Sequence, residues 1–249
     1  MNYPEFSRVT RLIGDDSFEK LKNSHVCIIG LGAVGSFALE SLARSGVRKF
    51  TLVDFDIIGK TNINRQILAL NSTVGLLKVD VAKMRVLDIN SECEVLTLPI
   101  FAHEDTFNQI FSQSVSIVID AIDSLNPKVA LLEYAYLHNI RIVSSMGAAL
   151  KKETQNITIA DLMDTHTCML AKSVRNRLKR RGVGRGIDAV FSTEVVDYEY
   201  KEPQNEQDPL MNENILLRGR ERQTLGSLST ITGLFGLTLA HHVLEILTT

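Results

Sequence analysis

Along the first 150 residues, short apolar runs alternate with segments whose apolar positions recur at helical spacing. The runs Val26-Cys27-Ile28-Ile29, Phe50-Thr51-Leu52-Val53, Val95 to Leu98, Val115 to Ile119 and Ile140 to Ser144 predict strands. Helices are predicted from Val34 to Ser45, from Lys78 to Asn90 and from Pro127 to His138. Pro127 suits a first helical turn, where its missing N–H costs no hydrogen bond. Alternation of this kind is what a mostly parallel sheet requires. The expected class is therefore α/β, Rossmann-like, with helices on both faces of the sheet. No internal repeat or low-complexity tract interrupts the pattern.

After about Leu150 the character changes. A polar and acidic stretch from Asp188 to Glu213 contains Lys201 to Pro209, and reads equally as a loop beside a substrate entrance or as a plain surface connection. The segment Gly226 to Leu247 is uncharged until Glu245. Its run of apolar and small residues stops at His241-His242, about fifteen residues in and short of the ~20 that a membrane span needs. A buried or dimer-packing helix is expected there, with no stable membrane insertion. His241 and His242 read as helix-end residues, because no Cys, Asp or third His stands around them at metal-ligand spacing.

Candidate chemistry begins at Gly30-Leu31-Gly32-Ala33-Val34-Gly35, directly after the first strand. A G-x-G-x-x-G between strand and helix presents backbone N–H groups and a positive helix end to phosphates, and many nucleotide users share it. The second strand ends in Asp54-Phe55-Asp56, about twenty residues beyond the last glycine, where a carboxylate reaches ribose hydroxyls. Asn62-Ile63-Asn64-Arg65-Gln66 and then Lys78 follow. Arg and Lys aimed at one crevice suit a triphosphate better than a neutral nicotinamide, which weighs against a dehydrogenase. The strand ending at Ile119 delivers Asp120-Ala121-Ile122-Asp123, acids that can hold a hydrated Mg²⁺ bridging phosphates.

Hydrophobic residues make up 45% and charged residues 22% of the 249 positions, enough for one large core or two unequal halves. The formal net charge of −2 argues against wholesale binding of nucleic acid, so any RNA contact must be local. Three cysteines, Cys27, Cys93 and Cys168, are too few and too scattered for a disulfide framework. With Met1 to Lys22 polar and charged, no leader is read, and a cytoplasmic location is expected.

The ordered set of Gly-Leu-Gly-Ala-Val-Gly, Asp54-Phe55-Asp56, Asn62 to Gln66, Val74-Gly75 with Lys78, and Asp120 to Asp123 resembles the ubiquitin-activating-enzyme-like adenylating proteins, the ThiF/MoeB superfamily. Within it, Arg11-Leu12-Ile13-Gly14, Asp123-Ser124 and Val190-Phe191-Ser192-Thr193-Glu194 look most like the tRNA threonylcarbamoyladenosine dehydratases. The resemblance implies a single ThiF/MoeB-type adenylation domain over 1–249. Residues 24–150 would be its nucleotide-binding half and 151–249 its substrate and dimer-contact half. It implies ATP held at Gly30, Gly32, Gly35, Asp54, Asn62, Arg65, Gln66, Lys78 and Asp123, with Mg²⁺ on Asp123. Catalysis would fall to Arg65, Lys78, Asp123 and an N-terminal arginine, Arg11 or else Arg8, reaching across a homodimer. The implied reaction is ATP-dependent cyclisation of threonylcarbamoyladenosine beside the tRNA anticodon.

Other readings stand beside this one. Asp54 can cap a turn, Asp120 can be structural, Arg65 and Lys78 can be surface cations, and Asp56 is left as an ordinary residue. An adenylyltransferase for a sulfur-carrier protein ending in Gly-Gly is the alternative enzyme, although the C-x-x-C pairs that hold zinc in many such proteins are missing. Cys168, next but one to His166, would be its thioester nucleophile. For the dehydratase reading, the partners are tRNA, a second copy of the chain and an assisting sulfurtransferase or sulfur-acceptor protein. A non-catalytic nucleotide-binding adaptor is the alternative of another class. For tRNA, Lys172, Arg175, Arg177, Lys179, Arg180 and Arg181 precede Arg185 with no acid among them. Helical steps place Lys172, Arg175 and Lys179 on one face, suited to tracking phosphates, unless the stretch is simply a solvated helix end. Arg218, Arg220 and Arg222 form a further basic cluster.

Overall fold

The apolar run at the start of the nucleotide half forms β1 (His25–Ile29), every residue of it buried, after two short helices, α1 (Ser7–Ile13) and α2 (Asp15–Asn23). A computed structural model describes residues 4–197 and 225–249 of the chain. Then follow α3 (Gly35–Arg44), β2 (Lys49–Val53), α4 (Lys78–Ile89), β3 (Glu94–Leu98), α5 (Phe107–Ile110), β4 (Ile117–Asp120), α6 (Leu125–Leu137) and β5 (Ile142–Ser145). Beyond these lie β6 (Ile157–Asp161), α7 (Met169–Arg180), β7 (Asp188–Ser192) and α8 (Ser229–Thr248). Each expected strand and helix of the first 150 residues forms within a few residues of its predicted bounds. Pro127 sits in the first turn of α6, as its chemistry favours.

The seven strands make one sheet in the order β3-β2-β1-β4-β5-β7-β6. All neighbouring pairs are parallel except β6 with β7, which are antiparallel. From β1 the chain steps out to β2 on one side while β4 flanks it on the other, so connections diverge between β1 and β4. In a doubly wound sheet the carboxyl ends of strands at such a point leave a crevice.

Both faces of the sheet are covered. On one, Leu39 and Leu42 of α3, Val79 of α4 and Phe235 and Leu239 of α8 pack over the strands. On the other, Phe107 of α5, Leu131 of α6 and Val174 of α7 do so. By length and composition α8 could cross a membrane, yet Ile231, Phe235, Leu239, Ala240 and Val243 are sealed in this core. Burying each of the larger side chains contributes roughly 2 kcal/mol, which fixes α8 as a core helix. His242 bonds through Nε2 to Asp188 Oδ2 at 2.8 Å, pinning α8 to β7, while His241 is exposed beside Glu245.

His25 opens β1 with its ring bridging the Ser114 carbonyl at 2.8 Å and Thr51 Oγ1 at 2.9 Å. Burial lowers its pKa below 6.5, partly offset by the Ser114 carbonyl.

Candidate active site

Three parallel strands deliver the site. Ile29, Val53 and Asp120 are level in register at the carboxyl ends of β1, β2 and β4. The next residues interlock, with Gly30 N donating to Val53 O at 2.8 Å and Ala121 N to Ile29 O at 2.9 Å. Gly30 adopts φ +95°, and a Cβ there would lie 2.7 Å from Ala121 O. At Gly35 a Cβ would fall 1.9 Å from Gly30 O. The turn therefore folds back on itself and against β4 only because both positions lack a side chain. The space above Gly32 is open, with Gln66 Nε2 the nearest atom at 3.9 Å from a notional Cβ.

Asp54, nearly buried, accepts from Leu31 N at 2.7 Å and from Asp56 N at 2.9 Å. It thereby clamps the glycine turn to the end of β2. Burial pushes its pKa up, while the Lys78 ammonium opposes that shift. Lys78, the first residue of α4, is also buried, and its Nζ lies 2.7 Å from Asp56 Oδ2 and 3.9 Å from Asp54 Oδ1. Asp56, set aside on sequence grounds, is thus the direct partner of Lys78. Its spacing from Asp54 was visible, but its pairing needed the fold.

The Asn62 to Gln66 cluster lies on the loop between β2 and α4. Asn62 Oδ1 accepts from Gly59 N at 3.0 Å and so shapes the turn. Arg65 is half-buried, its Nη1 donating to Thr61 O and Asn64 Oδ1, both at 2.9 Å. Gln66 is buried, and its Oε1 has no hydrogen-bond partner among the described residues. This buried acceptor beside the open space over Gly32 leaves a hydrogen-bonding position there for a polar group.

The two acids after β4 divide. Asp120 is fully buried, with Lys128 Nζ 2.5 Å and Ser144 Oγ 2.6 Å from its Oδ2, so it is structural. Asp123 is exposed on the turn, with Ser124 Oγ at 3.3 Å. Sequence reasoning passed over Lys128, a lysine with no exposure at all. The available signal was a cation in the largely apolar first turns of a helix, following an acid that ends an apolar strand.

The other candidate residues lie apart from this chain's own crevice. Arg8 and Arg11 are exposed on α1, and among the described residues no hydrogen bond or ion pair links Arg11 to the site. On α7, Arg175 is turned inward, its guanidinium donating to Thr165 O and, at 2.7 Å, to Thr165 Oγ1. The expected basic stripe of Lys172, Arg175 and Lys179 is therefore broken at its centre by a hydrogen bond to the preceding loop. Arg177 bonds Asn126, Arg181 pairs with Glu133, and Arg185 with Asp164, acids and amides supplied from elsewhere in the chain. Lys172, Lys179 and Arg180 remain exposed. Arg218, Arg220 and Arg222 lie outside the described residues, as does Lys201 to Pro209.

Cys168 is buried ahead of α7, while His166 turns to Thr167 Oγ1 at 3.1 Å and sets its ring edge against Phe191. A thiol buried in this way serves packing, which weighs against the thioester nucleophile of the sulfur-carrier alternative. Among the other cysteines, burial pushes the Cys27 thiol up to about 12 and that of Cys93 to about 11.

A glycine turn at a switch point, an acid clamping it and a lysine at the head of the following helix define a nucleotide-binding α/β protein. The chain belongs to the ThiF family, whose model matches residues 6–249. It is 47% identical over 190 residues to the tRNA threonylcarbamoyladenosine dehydratase of Bacillus subtilis (strain 168), covering 76% of this chain and 75% of that protein. It is 36% identical over 251 residues to the enzyme of the same name from Escherichia coli (strain K12), covering 96% and 92%. The fold matches a crystal structure of E. coli tRNA N6-threonylcarbamoyladenosine dehydratase, TcdA, in complex with ATP. The TM-score is 0.85 at 35% identity, over 98% of this chain and 93% of that one.

Proposed function

We infer that this protein is an ATP-dependent tRNA threonylcarbamoyladenosine dehydratase. The observation that carries the reading is the crevice itself: the open floor at Gly32, the orphaned Gln66 Oε1 and the buried Lys78, in a chain whose relatives bear that name over most of their length.

A carboxylate is a poor acyl donor because oxide would have to leave. Its attack on the α-phosphate of ATP forms an acyl adenylate and releases pyrophosphate. A neighbouring group of the same side chain then attacks the activated carboxyl and expels AMP. That closure is intramolecular, so proximity does the work and no enzyme nucleophile is required. Catalysis is chiefly electrostatic, from the N–H groups of the glycine turn and the cations of Lys78 and Arg65 on the phosphates. Asp123 would hold Mg²⁺, which when bound neutralises phosphate charge. A homodimer in which Arg11 completes the neighbour's site, tRNA contacts on the exposed cations of α7, and a cytoplasmic location belong to the same proposal.

The test is to incubate the protein with ATP, Mg²⁺ and tRNA bearing threonylcarbamoyladenosine. The nucleoside should lose the mass of one water as AMP appears. Pyrophosphate release only with a carrier protein ending in Gly-Gly, and none with the tRNA, would replace this reading with the sulfur-carrier one.

A further inference from the structure

Asp120 and Lys128 are the one oppositely charged pair among the described residues with no exposure on either side chain. Taking two charges out of water is expensive, and a well-packed apolar pair would do at least as well for stability. The contacts of this pair point to another use. Lys128 Nζ reaches Asp120 Oδ2 at 2.5 Å, the Ser145 carbonyl at 2.9 Å and Ser144 Oγ at 3.3 Å, joining α6 to the ends of β4 and β5. The other oxygen of Asp120, Oδ1, accepts from Ile122 N at 3.0 Å and so shapes the turn that leads to Asp123. Between them sits Ala121, whose carbonyl lies against Gly30 and whose Cβ would be 3.2 Å from a Cβ on Gly35.

We propose that Lys128 is a positioning residue: by holding Asp120 it sets the turn that presents Asp123 and supports the glycine loop, so nucleotide and metal meet in one geometry. This rests on the adenylation reading of Asp123. Lys128 touches neither substrate nor the reacting atoms, and it acts through a carboxylate at the root of the turn.

The test compares wild type, Lys128→Met, the charge-free pair Asp120→Asn/Lys128→Met, and Asp123→Asn. Thermal melting, calorimetric ATP binding with and without Mg²⁺, and kcat are measured for each. Lys128→Met should lose kcat about a hundredfold, the scale of an ångström-sized misplacement, and should lose the Mg²⁺-dependent part of ATP binding. The double variant, with no unpaired buried charge, should melt near wild type yet keep both defects. If Lys128→Met does not fold, the double variant alone decides. Recovery of kcat and Mg²⁺ dependence in the double variant along with its melting temperature would overturn the proposal, leaving a stability role only. If Asp123→Asn binds ATP and turns over as wild type does, the adenylation reading of Asp123 falls and takes the proposal with it. An impaired Asp123→Asn beside an unimpaired double variant sinks the positioning role alone.

Discussion

Lys78 Nζ sits 2.7 Å from Asp56 and 3.9 Å from Asp54, so the cation at the head of α4 is held between two carboxylates with little water around it. One of those carboxylates also clamps the backbone of the glycine turn through Leu31 N. Loop, acid and cation are thus mechanically one unit, and a change in any of them is felt by the other two.

Lys78→Ala should abolish ATP turnover, and it should also lower stability by about 1–3 kcal/mol, because Asp54 and Asp56 lose the charge that offsets their desolvation. Asp54→Ala should mainly weaken ATP binding, since it frees the glycine turn that Asp54 clamps through Leu31 N. Nucleotide titration with chemical denaturation of each variant checks both. Tight NADH binding without ATP binding would contradict the assignment.

Reversing the exposed cations Lys172, Lys179 and Arg180 to Glu should weaken tRNA binding and flatten its salt dependence by about one unit of log–log slope per lost phosphate contact, leaving ATP binding intact. Arg175→Glu should instead destabilise the protein, because its guanidinium serves Thr165. Filter binding across a salt series, with melting curves, separates the two effects. Unchanged tRNA affinity in the triple variant would make α7 an ordinary solvated helix.

Arg11→Ala and Asp123→Ala should each be inactive alone. If Arg11 serves the partner's site, mixing with subunit exchange gives about half hybrids, each with one intact site of two, and roughly a quarter of wild-type activity. No recovery, with exchange verified by tagged-chain pull-down, would mean that both residues serve the same chain's site.

His25 should make stability fall as pH drops below about 6.5. Burial depresses its folded pKa from 6.5, so in that window the unfolded chain takes up a proton that the folded chain refuses. The loss should level off once pH passes below the folded value. Melting curves between about pH 8 and pH 5 should slope less for His25→Gln, and identical profiles would remove His25 as the cause.

Periodicity and residue order were enough for the α/β class, the strand and helix positions of the first 150 residues, and the glycine turn with its following acid. These depend on local rules: a strand ends where the apolar run ends, and a turn with φ above zero needs glycine. The strand order, the antiparallel β6 edge and the pairing of charges around the crevice depended on contacts that the folded sheet makes. Asp56 looked ordinary until α4 brought Lys78 to it, and Asp120 looked like Asp123 until α6 brought Lys128 beneath it. Arg175 looked like its neighbours on α7 until the loop carrying Thr165 closed over it. Composition and spacing announce which charges a chain carries. Only the folded sheet, by deciding which of them lose their water and which keep it, determines whether each one is a site, a strut or a surface.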